Sequence, residues 1–369
     1  MVIAVEFKEI TKEYRGQPVL KGVDFSVRSG TFTVIFGGPG CGKSIVLRLM
    51  TGLEKPSAGR VFMCEKDVTD ITPRERNIGY VPQMFALYPH YKVYDNIAYP
   101  LRLMGLPRKE VDPLVYQTAE MLHISPLLEK FPDQLSGGEK QRVALARGIV
   151  KKTNIYVLDD PLSGLDFKLR EQLFDELLET QKTLNTTFVY TTFDPLETLM
   201  LAEDIIVLDS GRVVETGSLD QVYSEPQHIR TMELLGFPGT NILQGSLYTR
   251  DGQVWCDTVL VEFPVEITRS ADVFTEGQRV SVAVRPQNLK LNPEQTEDMF
   301  TFLAEVVLRE DLGGELVVHL DSNGSKLLSV MRYDEAYLLS NGQVTVAASA
   351  PAFVLYALES GERIGKGAK

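Results

Sequence analysis

The sequence predicts two folded parts: an α/β domain with a mostly parallel sheet over residues 1–235, then a small all-β domain over residues 236–369. Three observations carry that prediction. Up to Leu235, strand-sized apolar runs such as Phe32-Thr33-Val34-Ile35-Phe36 alternate with helical patterns. Beyond Gly236-Phe237-Pro238-Gly239 come short β-rich segments, Val280-Ser281-Val282-Ala283-Val284 and Leu316-Val317-Val318-His319-Leu320 among them, punctuated by Gly, Asn and Asp. A length of 369 residues also exceeds one ordinary domain of ~100–200 residues. The boundary is expected between Leu235 and Thr240, and the tail from Gly361 to Lys369 is expected to fray.

Composition narrows the function. With 44% hydrophobic and 24% charged residues the chain is globular, not disordered, collagenous or coiled-coil. Its longest apolar stretches, Val34-Ile35-Phe36 and Ile205-Ile206-Val207-Leu208, are strand-sized, far from the ~18 apolar residues of a membrane span. The opening residues, Met1 to Lys8, show no secretion signal, so the cytoplasm is the expected compartment. A net charge of -12, from 38 basic and 50 acidic residues, argues against a nucleic-acid partner held by phosphate contacts. Cys41, Cys64 and Cys256 are too scattered for a disulfide framework or a zinc site and are expected to be small buried thiols.

The strand Phe32 to Phe36 runs into Gly37-Gly38-Pro39-Gly40-Cys41-Gly42-Lys43-Ser44, and a helical run from Ile45 to Gly52 follows. This is the phosphate-loop pattern in the context it needs. Its glycines let backbone N–H groups close around phosphates at a helix start, Lys43 neutralises charge, and the Ser44 hydroxyl can ligate Mg²⁺. A plain Gly-rich turn with a surface lysine is the bland alternative. Next, Leu135-Ser136-Gly137-Gly138-Glu139-Lys140-Gln141-Arg142 opens a helix continued by Val143, Leu145 and Ile149, a second phosphate-binding device. The apolar strand Asn154-Ile155-Tyr156-Val157-Leu158 then ends in Asp159-Asp160, and Asp159 is the Mg²⁺ candidate.

The order of phosphate loop, Gln83 in Val81-Pro82-Gln83, Leu135-Ser136-Gly137-Gly138-Glu139, Asp159-Asp160 and Ser163-Gly164-Leu165-Asp166 resembles the ATP-binding cassette (ABC) ATPases. Ala86-Leu87-Tyr88-Pro89-His90, Gly236-Phe237-Pro238-Gly239-Thr240-Asn241 and Arg285-Pro286-Gln287-Asn288-Leu289 extend the resemblance to maltose and carbohydrate importer ATPases over nearly the whole chain. The resemblance implies a parallel sheet with a helical subdomain and an oligonucleotide-binding-type second domain that serves dimer contact and regulation. ATP and Mg²⁺ are the implied ligands. Ser44, Gln83 and Asp159 would hold the metal, and Tyr14 would stack on adenine, unless it is an ordinary exposed tyrosine. Ser136, Gly137, Gly138, Glu139 and Asp166 would complete the ATP site of a partner ATPase. The implied partners are that second ATPase, two transmembrane permease subunits and an extracytoplasmic solute-binding protein, with this chain peripheral on the cytoplasmic face of the membrane.

Four changes set the chain apart from the family's pattern. Asp160 stands where a glutamate activates the attacking water; its side chain is shorter by one C–C bond, roughly 1.5 Å, and a misplaced general base forfeits ~10²–10⁴-fold in rate. Phe193 stands where a histidine contacts the γ-phosphate, and can neither donate nor accept a hydrogen bond; a core aromatic at a strand end is its structural alternative. Gly38-Pro39 replaces Pro-Ser, and Ile45 replaces a threonine. The expected function is therefore the ATP-binding subunit of a prokaryotic sugar or polyol importer with an impaired site of its own, paired with a non-identical ATPase. The competing readings are an active homodimer, a carrier of glycerol phosphate, polyamine, sulfate or iron, a soluble cassette ATPase, and a P-loop kinase that would leave the Ser136 segment unexplained.

Overall fold

A computed structural model describes residues 2–163, 165, 167–268, 275–295, 298–339 and 342–368. Two compact units divide between Asp220 and Gln221. In chain order the first carries β1 (Ile3–Tyr14), β2 (Gln17–Arg28), β3 (Phe32–Phe36), α1 (Lys43–Thr51), β4 (Ala58–Met63), β5 (Lys66–Asp67), α2 (Pro73–Arg76), β6 (Gly79–Val81), α3 (Val93–Leu103) and α4 (Arg108–Met121). It continues with α5 (Gly137–Ile149), β7 (Ile155–Asp159), α6 (Phe167–Leu184), β8 (Thr187–Thr192), α7 (Pro195–Leu201), β9 (Asp204–Asp209) and β10 (Arg212–Ser218).

These strands make two sheets. One is antiparallel, in the order β2-β1-β4-β5; the other runs β10-β9-β3-β8-β7-β6, parallel except at its β10 edge. Every residue of β3, β7 and β8 is buried, which is why their sequences read as unbroken apolar runs instead of alternating ones. A single hydrophobic core joins Phe7 and Val61 of the antiparallel sheet, Val46 and Met50 of α1, and Ile35 and Val157 of the parallel sheet. Parallel order puts the carboxyl ends of β3, β7 and β8 side by side, and ligands of such sheets lie at those ends. Helices α3, α4 and α5 pack on one another as a helical layer.

Cys41 and Cys256 are buried as expected, but Cys64 is exposed. It sits with Glu65 in the two-residue turn between β4 and β5, both at positive φ, the geometry of a tight hairpin turn, which faces solvent.

The second unit carries α8 (Leu219–Ser224, beginning just before the division), α9 (Ile229–Leu234), β11 (Asn241–Arg250), β12 (Gln253–Thr258), β13 (Glu262–Ile267), β14 (Arg279–Val284), β15 (Lys290–Leu291) and β16 (Met299–Asp311). It ends with β17 (Glu315–Ser322), β18 (Ser325–Arg332), β19 (Gln343–Ser349), β20 (Val354–Ala357) and β21 (Arg363–Gly367). Strands β11-β12-β13-β21-β20-β14 close a barrel, and β15-β19-β16-β17-β18 form a five-stranded sheet. This is the all-β domain of oligonucleotide-binding type, built on a core that includes Phe263, Val282, Val318 and Phe353.

Two expectations change. Residues 221–235, read from sequence with the first domain, belong with the second. There the Tyr356 hydroxyl donates to the Pro226 carbonyl at 3.1 Å, Arg285 donates to the Tyr223 carbonyl at 2.7 Å while stacking on its ring, and Met232 packs on Ala283 and Tyr356. Nor does the tail from Gly361 fray: β21 pairs with both β13 and β20 and closes the barrel. Ile364 is buried there, and Gly367 lies so near the Ala350 carbonyl oxygen that a Cβ would meet it at 2.0 Å. A polar tail with three glycines reads as a loose end, yet glycine is what this close backbone approach requires.

Candidate functional site

The loop from Gly37 to Ser44 joins β3 to α1 as a tight nest. A Cβ on Gly37 would meet the Leu208 carbonyl oxygen at 2.1 Å and the Cys41 sulfur at 2.8 Å, so only glycine fits. Gly42, the residue before α1, sits at φ 111 against the Leu20 side chain, a conformation that other residues avoid. Gly38, by contrast, has open space around it, and Pro39 and Gly40 are exposed. The Lys43 ammonium donates to the carbonyls of Gly37 at 2.6 Å and Gly38 at 3.0 Å, which holds its charge over the loop. Ile45 turns partly inward and packs on the core instead of presenting a polar group. Because α1 starts at Lys43, its unpaired N–H groups and the positive end of its dipole open on the same loop.

Three other segments meet the loop at the sheet ends. The Ser44 hydroxyl donates to Asp159 Oδ1 at 3.0 Å, and the buried Thr191 hydroxyl donates to the same oxygen at 2.9 Å. Thr191 Oγ1 also accepts the Asp160 N–H at 3.0 Å, so one side chain of β8 ties both carboxylate residues together. Burial, then the adjacent Asp159 carboxylate, pushes the Tyr80 phenol up to about 12. Gln83 Nε2 donates to Asp160 Oδ2 at 3.0 Å. Burial raises the Asp160 carboxyl above the usual range, with the Gln83 bond and the Lys43 charge opposing it and the Asp159 charge adding to it. Asp160 sits at φ 44, a left-handed conformation that Asp tolerates better than most residues.

Lys43, Ser44, Gln83, Asp159 and Asp160 thus form one cluster around the phosphate loop. Thr191 and Tyr80 belong to it and escape a motif search. The only cue for Thr191 is a pair of hydroxyl residues, Thr191-Thr192, closing an otherwise apolar strand. Paired oxygens of Ser44 and Asp159 suit Mg²⁺, which takes one or two protein oxygens and completes its shell with phosphates and water; among the described residues no larger cluster of His, Cys, Asp or Glu competes for a metal.

The remaining candidates lie on other elements. Tyr14 stands beside the β1–β2 turn, 40% exposed, with its hydroxyl donating to the Glu54 carboxylate and the Lys12 ammonium 5.1 Å from its ring centroid. Phe193 follows β8 and is 51% exposed, which removes the core-aromatic alternative; Asp194, beside it, caps α7 and accepts from Arg170 at 2.8 Å. Ser136 caps α5: its Oγ accepts the Glu139 N–H at 3.3 Å, while Glu139 Oε2 accepts the Ser136 N–H at 2.7 Å. That reciprocal pair explains why Glu serves where Gln is commoner, since both close a capping box, and the backbone bond holds the Glu139 carboxyl below the usual range. Gly137 is open on all sides and Gly138 is buried in α5. Asp166 and Gly164 lie outside the described residues.

Beyond Gln83, Arg147 of α5 donates to the carbonyls of Phe85 at 3.0 Å and Ala86 at 2.6 Å and stacks on Tyr88. A groove of about 540 Å³ opens there, lined by Tyr80, Tyr88, Tyr99, Leu103 and Met104.

Comparison with known proteins agrees with this geometry. The family described as "ABC transporter" matches residues 20–163. The chain is 34% identical over 332 residues to the sn-glycerol-3-phosphate import ATP-binding protein UgpC of Yersinia pseudotuberculosis, covering 90% of this chain and 91% of that protein. It is 35% identical over 340 residues to the trehalose/maltose import ATP-binding protein MalK of Thermococcus litoralis, covering 89% and 91%. The spermidine/putrescine import ATP-binding protein PotA of Oleidesulfovibrio alaskensis is 34% identical over 322 residues, covering 86% and 85%. Among solved structures, cbiO1 from Clostridium perfringens, part of the transporter complex cbiONQ, matches with a TM-score of 0.56 and 29% identity over 61% of this chain and 92% of that one. A dimeric post-hydrolysis state of the cassette MJ0796 bound to ADP and Pi matches with a TM-score of 0.54 and 29% identity, over 58% and 98%. A phosphate loop set against a carboxylate pair, a capped helix start of the right sequence and relatives spanning nine-tenths of the chain lead to one conclusion: this chain belongs to the ATP-binding proteins of the ABC transporter family.

Proposed function

We propose that the chain is the ATP-binding subunit of an importer for a sugar or polyol, peripheral on the cytoplasmic face of the membrane and paired with a second, non-identical ATPase. The importer part is supported by the names of the relatives, which are import ATP-binding proteins for glycerol phosphate, trehalose and maltose, or polyamines. The groove beside Tyr88, with its exposed Leu103 and Met104, suits contact with two permease subunits. No described helix is long and apolar enough to cross a membrane. An extracytoplasmic binding protein would deliver the solute to those permeases.

The asymmetric part rests on one observation, the Asp160 carboxylate held by Gln83 at 3.0 Å on a side chain one bond short of a glutamate's reach. In this reading Lys43 and the first N–H groups of α1 bind the β- and γ-phosphates of ATP, and Ser44 and Asp159 hold Mg²⁺, which supplies charge neutralisation there when bound. Asp160 would take the proton of the attacking water, but its short side chain and its tie to Gln83 withhold it. Phe193 supplies no hydrogen bond to the transferred phosphoryl group. Ser136, Gly137, Gly138 and Asp166 would serve the partner's ATP. Purifying the transporter from its native membranes tests this: the reading expects two permeases and a second ABC ATPase of different sequence, whereas transport at ordinary rates by this chain as the sole ATPase would overturn the asymmetry.

A further inference from the structure

The five-stranded sheet of the second unit curls until its two edge strands, β15 and β18, approach one another without pairing. A cavity of about 830 Å³ opens along this gap, floored by Leu291 of β15 and Met331 of β18. Unpaired edges present main-chain donors and acceptors. On β18 the side chain of Asn241 satisfies one such position, donating to the Leu328 carbonyl at 2.8 Å and accepting its N–H at 2.6 Å. Strand alternation turns the N–H and C=O of Val330, two residues on, in the same direction, and Val330 lines the cavity.

Its polar lining carries both signs. Arg332 donates to Glu335 at 3.2 Å and reaches Asp334 at 3.5 Å, so it already neutralises part of that wall. Lys290 stands with Glu294 and Glu315 on the remaining lining, and the Tyr337 ring, 78% exposed, offers a flat apolar face at the rim. Four carboxylates against two cations repel phosphate or sulfate. Planar carboxylate and guanidinium groups beside a tyrosine ring and an open strand edge instead match the paired hydroxyls and the C–H face of a polyol or sugar.

We propose that this cavity binds a small neutral polyhydroxylated molecule, a polyol or a mono- or disaccharide, at a site separate in sequence from the nucleotide cluster. Binding of such a ligand does not depend on the asymmetric importer reading; its use as a sensor of the carried solute does. Isothermal titration calorimetry on the full chain, with sorbitol, glucose and maltose as probes and spermidine and sn-glycerol 3-phosphate as charged controls, tests the site. Saturable binding of at least one neutral probe at millimolar concentration or below is expected. Glu315→Gln and Tyr337→Ala, both at exposed positions, each weaken it about tenfold or more, with ATP affinity unchanged. Absence of saturable binding by all three neutral probes, tighter binding of either charged control, or affinity unmoved by both variants would overturn the proposal. Since ATP affinity is read on the same samples, failure here is distinct from failure of the nucleotide site.

Discussion

Thr191→Val probes the least conspicuous member of the nucleotide cluster. The side chain is fully buried, and the substitution keeps its shape while deleting a donor to Asp159 Oδ1 at 2.9 Å and an acceptor for the Asp160 N–H at 3.0 Å. That N–H keeps the Thr191 carbonyl at 3.1 Å, and Asp159 keeps the Ser44 hydroxyl, so neither group is orphaned. What is lost is chiefly one hydrogen bond to a charged group, worth about 1.5–3 kcal/mol. For a unit of this size that lowers the melting temperature by roughly 3–12 °C, at ~2–4 °C per kcal/mol. Differential scanning calorimetry reads the shift, and titration with Mg²⁺ and ATP reads the loosening of Asp159 as weaker metal-dependent affinity. Thr191→Ser, which keeps the hydroxyl, should restore most of both. A valine variant that melts and binds like the parent would refute the bridging role.

Three further outcomes follow from the same geometry. Gly37→Ala drives a methyl into the Leu208 carbonyl and should cost about 1–3 kcal/mol, while Gly38→Ala, with open space around it, should unfold in denaturant like the parent; equal midpoints for the two would contradict the description of the loop. Truncation after Gly361 removes β21, opens the barrel and exposes Phe353 and Leu355, so the second unit should lose its cooperative melt and bind a hydrophobic dye, which an intact melt would disprove. Asp160 has a raised pKa when folded, so its contribution to stability is fullest below the unfolded pKa and is lost as pH rises through the folded one. Asp160→Asn should therefore gain stability over the parent from acid to neutral pH; a pH-independent difference would show that burial does not perturb the group.

Much of the first unit could be read in advance because its signals are local. Phe32 to Phe36 is an unbroken apolar run since β3 is covered on both faces, and the Gly37–Ser44 spacing is dictated by phosphate geometry and a helix start. The Ser136–Glu139 cap is equally local, three residues apart on one turn. What sequence did not show depends on partners far along the chain. Thr191 joins Asp159 and Asp160 only because parallel pairing sets β8 beside β7, and the Thr191-Thr192 hydroxyl pair is its one local cue. The Gly361–Lys369 tail looks loose by composition, yet its residues Arg363–Gly367 pair with β13, about a hundred residues earlier by chain order, as a barrel strand. Residues 221–235 carry ordinary helical patterning, and only their contacts with Ala283, Arg285 and Tyr356 assign them to the second unit.

Under the proposed function, this chain binds ATP at a site too degenerate to hydrolyse it efficiently. Steady-state phosphate release by the purified chain, beside the Asp160→Glu/Phe193→His double variant and with nucleotide binding matched between them, tests that directly. Binding is expected in both and appreciable turnover only in the variant, a gain of ~10²-fold or more from a correctly reaching base. Turnover of roughly 1 s⁻¹ or more in the unaltered chain, within the ordinary enzyme range, would contradict it and return the chain to the active homodimer.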